Sequence, residues 1–145
     1  MKKVLKILAI DDDQGCRLAA ARYLTLVGGH MVEVAETGRE GFKKASELCP
    51  DIILLDIRMP DMDGLEVMDA LCAAPATRDI PVIIITGADL SEAEQASLTG
   101  KRNFLLLEEK PADLGKILEK LETALGAGLR RQEDHSSFRP VPTKR

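Results

Sequence analysis

Cysteine is scarce in this chain and unfavourably spaced. Its three cysteines, Cys16, Cys49 and Cys72, are odd in number and form no C-x-x-C pair. That argues against a disulfide framework or a zinc site, and leaves buried or half-buried thiols in a reducing compartment. Histidine is as sparse. His30 and His135 stand far apart, which argues against a histidine-based metal centre. No apolar run approaches the roughly 18 residues that a membrane span needs. The opening MKKVLKILAI is basic and then apolar, as a signal peptide is, but it runs straight into Asp11, Asp12 and Asp13 with no small-residue cleavage site. The N-terminus is therefore read as cytoplasmic and leading into a first strand. Positive charge is also in short supply. The net charge is −4, so broad affinity for nucleic acid or an anionic membrane is not expected.

What is present fits one compact domain of 145 residues with an ordinary soluble composition, 45% hydrophobic and 30% charged. Charge is unevenly placed. Five basic and two acidic residues follow Leu125, so residues 126–145 carry +3 and residues 1–125 carry −7. That last stretch is rich in Gly, Ser and Pro and has no apolar period. It is read as a disordered basic tail behind a domain spanning residues 1–125. Strands are expected at 6–10, 31–35, 51–56, 81–86 and, less cleanly, 104–108. Ile52–Leu55 and Val82–Ile85 are apolar without alternation, as parallel strands covered on both faces are. MVEVA alternates, as a strand nearer an edge would. Helical periods fill the gaps: 14–27, a segment opened by a Thr37/Glu40 capping box, one opened by Asp63/Glu66, a short 91–98 and 112–125. Five alternations of strand and helix predict an α/β fold, a parallel sheet wound with helices on both sides.

All strands of such a sheet deliver their C-terminal ends to one edge. Asp11, Asp12 and Asp13 follow the first strand, Asp56 follows the third, Thr86 ends the fourth, and Lys110 follows the fifth. Clustered carboxylates repel one another unless a cation sits among them. Oxygen donors alone favour a hard ion, and Mg²⁺ fits best because it accepts few carboxylates and completes its shell with water and phosphate. An ammonium, a hydroxyl and such an ion are what a transferring phosphoryl group requires, and a rigidly held aspartate can be its acceptor. Taken singly, each residue has a plainer role: Asp11 to Asp13 as helix caps, Lys110 as a solvated surface lysine, Asp63 as a cap and no more, Met59 and Met62 as loop packing.

The run LLDIRMPDMDG, with Asp56, Met59, Pro60, Met62, Asp63 and Gly64, stands among the Asp-Asp pair, PVIIITG and Lys110-Pro111. Together they resemble the receiver domain of two-component response regulators over about residues 6–125. The resemblance implies a flavodoxin-like sheet of order 2-1-3-4-5. It implies Asp56 as phosphoacceptor, with a Mg²⁺ site of Asp11, Asp12, Asp56 and the Arg58 backbone carbonyl, and Thr86 and Lys110 binding the phosphoryl group. The donor would be a sensor histidine kinase or a phosphotransfer protein. Output would come by protein–protein contact, with no direct nucleic-acid binding, since only 20 residues follow Leu125. No enzyme activity is implied beyond phosphoryl transfer to, and hydrolysis from, Asp56. Three positions depart from the family pattern. Leu107 stands where an aromatic is usual, Ala112 follows Lys110-Pro111 where a large apolar residue is usual, and Thr86 to Lys110 is about two residues longer. Arg58 is long enough to lie across the phosphoryl group and exclude water, or else points into solvent.

Two other functions compete. IDDDQG can be read as the D-x-D motif of a haloacid-dehalogenase-type phosphatase with Asp11 as nucleophile. Gln14 and Gly15 then replace the usual Thr or Val, and the 56–64 segment is left unexplained. A non-phosphorylated pseudo-receiver would keep the fold and bind partners without the chemistry.

Overall fold

The computed structural model describes residues 3–87 and 90–126. Five strands alternate with five helices: β1 (Lys6–Ile10), α1 (Gln14–Leu26), β2 (Met31–Ala35), α2 (Gly38–Leu48), β3 (Ile52–Leu55), α3 (Gly64–Ala73), β4 (Val82–Thr86), α4 (Glu92–Thr99), β5 (Phe104–Glu109) and α5 (Leu114–Gly126). The sheet is parallel throughout, in the order β2-β1-β3-β4-β5. The expected tail, apart from Gly126, lies outside the described residues.

The continuous apolar runs follow from burial on both faces. Ile53 and Leu55 of β3 and Val82 and Ile84 of β4 pack with Ala45 of α2, Val67 and Leu71 of α3 and Leu98 of α4. The intervening Ile52, Leu54, Ile83 and Ile85 point the other way, to Ala21 and Leu24 of α1 and Ile117 and Leu121 of α5. Helices therefore cover the sheet three to one side and two to the other. MVEVA is an edge strand, and its Met31, Glu33 and Val34 are only partly buried.

Local chemistry sets the helix starts. Asp13 caps α1 by accepting from Cys16 N, and Asp63 and Glu66 form a full capping box on α3. At α2 the box is half made. Thr37 accepts from Glu40 N, but the Glu40 carboxylate accepts instead from Glu36 N at 2.7 Å. The full second box lies at Ser91 and Glu94, where the sequence reading placed only a short helix. α5 opens two residues later than its apolar period suggests, because Asp113 Oδ1 accepts from Lys116 N at 3.0 Å. One thiol departs from expectation: Cys49 is exposed, since it ends α2 in a left-handed conformation (φ 46°) as the chain turns outward, while Cys16 and Cys72 are half-buried.

Gly64 explains the glycine that closes the DMDG segment. Helix α3 starts hard against the β3–α3 loop, and a Cβ at Gly64 would sit 2.6 Å from the Asp56 carbonyl oxygen and 2.7 Å from Ile57 Cα. Backbone cannot yield as a side-chain tip can, so Gly64→Ala must push the loop outward. The expected cost is about 2 kcal/mol or more in urea unfolding, in the range of core overpacking. A loss under 0.5 kcal/mol, on the order of an ordinary surface change, would show that the close approach is soft.

Candidate functional site: an acidic pocket at the sheet edge

The ladder register places the charged groups. Ile10 of β1 is level with Leu55 of β3, so the residues that follow each, Asp11 and Asp56, emerge side by side. Hydrogen bonding continues past the strand ends: Asp56 N donates to Ile10 O at 2.9 Å, Asp11 N to Ala35 O at 3.1 Å, and Lys110 N to Thr86 O at 2.9 Å. The backbone under all four residues is thus fixed by the sheet.

The side chains converge accordingly. Lys110 Nζ lies 3.0 Å from Asp11 Oδ2 and 3.6 Å from Asp56 Oδ2. One carboxylate oxygen from each of Asp11, Asp12 and Asp56 falls within a cluster no wider than 4.8 Å. Asp56 is buried, Asp11 nearly so, and Asp12 is exposed. Asp13 turns away to cap α1, so it belongs to the helix and not to the cluster. Thr86 is buried at the end of β4 and, with Leu107, Glu109 and Lys110, lines a separate polar cavity of about 150 Å³ towards α4. Leu107 is half-buried there against the core.

Electrostatics single out Asp56. Burial, and then the neighbouring Asp11 charge, push its carboxyl up to about 6, and Lys110 only partly opposes them. Burial would lower the Lys110 ammonium, but the Asp11 hydrogen bond and the Asp11 and Asp56 charges outweigh it, and its pKa is raised. The pocket therefore holds more negative charge than its one lysine neutralises. All three donors of the cluster are carboxylate oxygens, a set suited to a hard divalent cation.

Sequence reasoning did not find one group at this edge, an arginine of α1. Arg17 of α1 donates from Nη1 to the Asp11 carbonyl at 2.8 Å and lies 3.6 Å from Glu36. Its position on the α1 face nearest β1 was the available signal. Arg58 is exposed, as one of its two expected courses had it, and its guanidinium is held there by Glu94 of α4 at 3.2 Å. Ala112 borders an apolar cleft of about 150 Å³ with Ala9, Ala20 and Cys16, next to Asp56 and Lys110. The stretch before Lys110 contains a bulge: Val82 pairs with Phe104 and Ile83 with Leu106, leaving Leu105 unmatched.

Residues 7–122 match the family model of the response regulator receiver domain. The chain belongs to that family. It is a receiver domain of two-component signal transduction, a class whose signalling is switched by phosphorylation. It is 33% identical over 129 residues to the response regulator MprA of Mycolicibacterium vanbaalenii, covering 86% of this chain and 54% of that protein. It is 31% identical over 118 residues to a protein-glutamate methylesterase/protein-glutamine glutaminase of Archaeoglobus fulgidus, covering 81% of this chain and 34% of that protein. The chain thus spans a third to about half of the curated relatives it matches. Among solved structures, a CheY-like receiver domain protein of Methanospirillum hungatei superposes with a TM-score of 0.73 at 27% identity, covering 86% of this chain and 95% of that one. The phosphatase alternative falls with this membership. No described helix is long and apolar enough to cross a membrane.

Proposed function

We propose that Asp56 accepts a phosphoryl group from the phosphohistidine of a sensor kinase or phosphotransfer protein, and that the phosphorylated domain signals through contact with a downstream protein. The observation that carries this is the placement of Asp56. It is buried at the end of a strand paired on both sides, beside Asp11 and 3.6 Å from the Lys110 ammonium. In the transfer, a carboxylate oxygen of Asp56 attacks phosphorus as the phosphorus–nitrogen bond of the donor breaks. Lys110 neutralises charge on the phosphoryl oxygens, and Thr86, on β4 at the same edge, donates to one of them. The Asp11 carboxylate holds Lys110 in place.

Asp11, Asp12, Asp56 and the Arg58 carbonyl are the groups that would hold Mg²⁺, which when bound supplies the positive charge that the pocket lacks. Asp12, the exposed member, has no side-chain hydrogen bond or ion pair among the described residues, and its main role would be this ligation. Asp12→Asn is expected to weaken Mg²⁺ binding at least ten-fold in a fluorescence or calorimetric titration, about 1.4 kcal/mol. Unchanged affinity would remove Asp12 from the ligand set. The functional unit is residues 1–125, the location is the cytoplasm, and neither nucleic-acid binding nor an enzymatic output is assigned to this domain. The test of the reading is to incubate the chain with acetyl phosphate and Mg²⁺ and locate the modified residue by peptide mass. A phosphoryl group on Asp56 supports the reading, and none on any residue supports the pseudo-receiver.

A further inference from the structure

Arg58 and the start of α4 share one oxygen atom. Glu94 Oε1 accepts from Ser91 N at 3.0 Å, closing the capping box, while Glu94 N donates to Ser91 Oγ at 3.0 Å. The same Oε1 also takes Arg58 Nη2 at 3.2 Å. Hydrogen bonding to the Ser91 backbone first, and then to Arg58, holds the Glu94 carboxyl below its usual range. The helix so attached is the least anchored in the fold, since Leu98 is its one buried residue. Its far end is tied to α3 by the Lys101–Asp69 pair. The Arg58–Glu94 pair ties its near end to the loop that follows Asp56.

Arg58 is two residues from Asp56, so their Cα atoms are at most about 7 Å apart. A phosphoryl group on Asp56 places two negative charges and three strong acceptors within reach of a guanidinium that prefers planar, bidentate oxygens. Glu94 and the phosphoryl group then compete for one cation. Glu94 retains its Ser91 hydrogen bond whichever wins, so the exchange does not unmake the α4 cap.

We propose that Glu94 is a positioning residue that withholds Arg58 from the phosphoryl group and so sets the lifetime of the aspartyl phosphate, with the near end of α4 released from the loop whenever Arg58 transfers. This rests on the reading of Asp56 as phosphoacceptor. Hydrolysis begins when a water oxygen attacks phosphorus in line. The bond from phosphorus to the Asp56 oxygen breaks, the carboxylate is restored, and inorganic phosphate leaves with the water's oxygen. Arg58 laid over the phosphoryl oxygens obstructs that water, and Arg58 held by Glu94 does not.

The test is self-dephosphorylation of the full chain, loaded with acetyl phosphate in excess Mg²⁺, freed of donor and followed by intact mass. Glu94→Gln keeps an acceptor for the cap but loses the charge that holds Arg58. It is expected to decay about two- to five-fold more slowly than wild type, the scale of one exposed ion pair. Glu94→Ala, which also removes the cap, should slow decay by the same factor. In an Arg58→Ala background neither Glu94 change should have any effect. Equal decay in wild type and Glu94→Gln overturns the proposal. So does an effect of Glu94→Ala without one of Glu94→Gln, which would assign the role to the cap, or an effect that persists without Arg58. A chain that takes up no phosphoryl group in any variant overturns the phosphoacceptor reading and this proposal with it. Normal loading with uniform decay overturns this proposal alone.

Discussion

Asp56→Asn is expected to abolish phosphoryl uptake from acetyl phosphate, with no mass gain after incubation times that load the wild type fully. An amide is a poor nucleophile and carries no negative charge, yet it fills nearly the same volume, so the fold should persist. The companion variant Asp11→Asn separates the two acids. Asp11 is engaged at both oxygens, accepting from Asp13 N at 2.9 Å through Oδ1 and pairing with Lys110 at 3.0 Å through Oδ2. Asp11→Asn should therefore slow uptake by roughly ten- to a hundred-fold, about 1.4–2.7 kcal/mol of barrier, while the label still appears on Asp56. Label retained in Asp56→Asn, or lost only in Asp11→Asn, would reverse the assignment.

A stability effect of opposite sign should accompany that loss of activity. The Asp56 carboxyl titrates near 6 in the fold against 3.8 as its reference value. Between those values the folded protein binds more protons than the unfolded chain, so stability falls as pH rises through this window. The penalty is absent below about pH 4 and complete above about pH 6. After discounting for water on the open side of the pocket, it is about 1–2 kcal/mol. Without divalent metal, Asp56→Asn should thus melt several degrees above wild type at pH 7.5 and level with it at pH 4. Magnesium should raise the wild-type midpoint at pH 7.5 and lose this effect as Asp56 protonates below pH 6. A wild type as stable as Asp56→Asn at pH 7.5 in chelator would mean that the pocket bears its charge without strain.

Much of the fold was legible because burial leaves a mark on residue order. Ile52–Leu55 and Val82–Ile85 had to be apolar at every position since helices cover both faces, while MVEVA alternates because it closes an edge. Errors fell at element ends, where a single hydrogen bond decides. Asp113 delays α5, and Glu40 turns to Glu36 N in place of completing its box. The candidate site was legible for a related reason. In a parallel sheet, residues just past the strand ends meet at one edge, so Asp11, Asp56, Thr86 and Lys110 can be assembled from strand positions alone.

The sequence by itself determined which chemistry is available: carboxylates, a hydroxyl and an ammonium at the ends of four strands, and no thiol or imidazole set to rival them. Strand periodicity encodes this directly, because each strand end is a local property of its own run. Tertiary structure decided how the groups act. Asp56 has a raised pKa and Asp11 grips Lys110 only because the Ile10–Leu55 register sets them side by side. Arg58 is turned to Glu94, 36 residues away, by the packing of α4 beside the β3–α3 loop. Distances between charges on separate elements depend on register and helix placement, which the whole core sets at once, and no local pattern of residues records them.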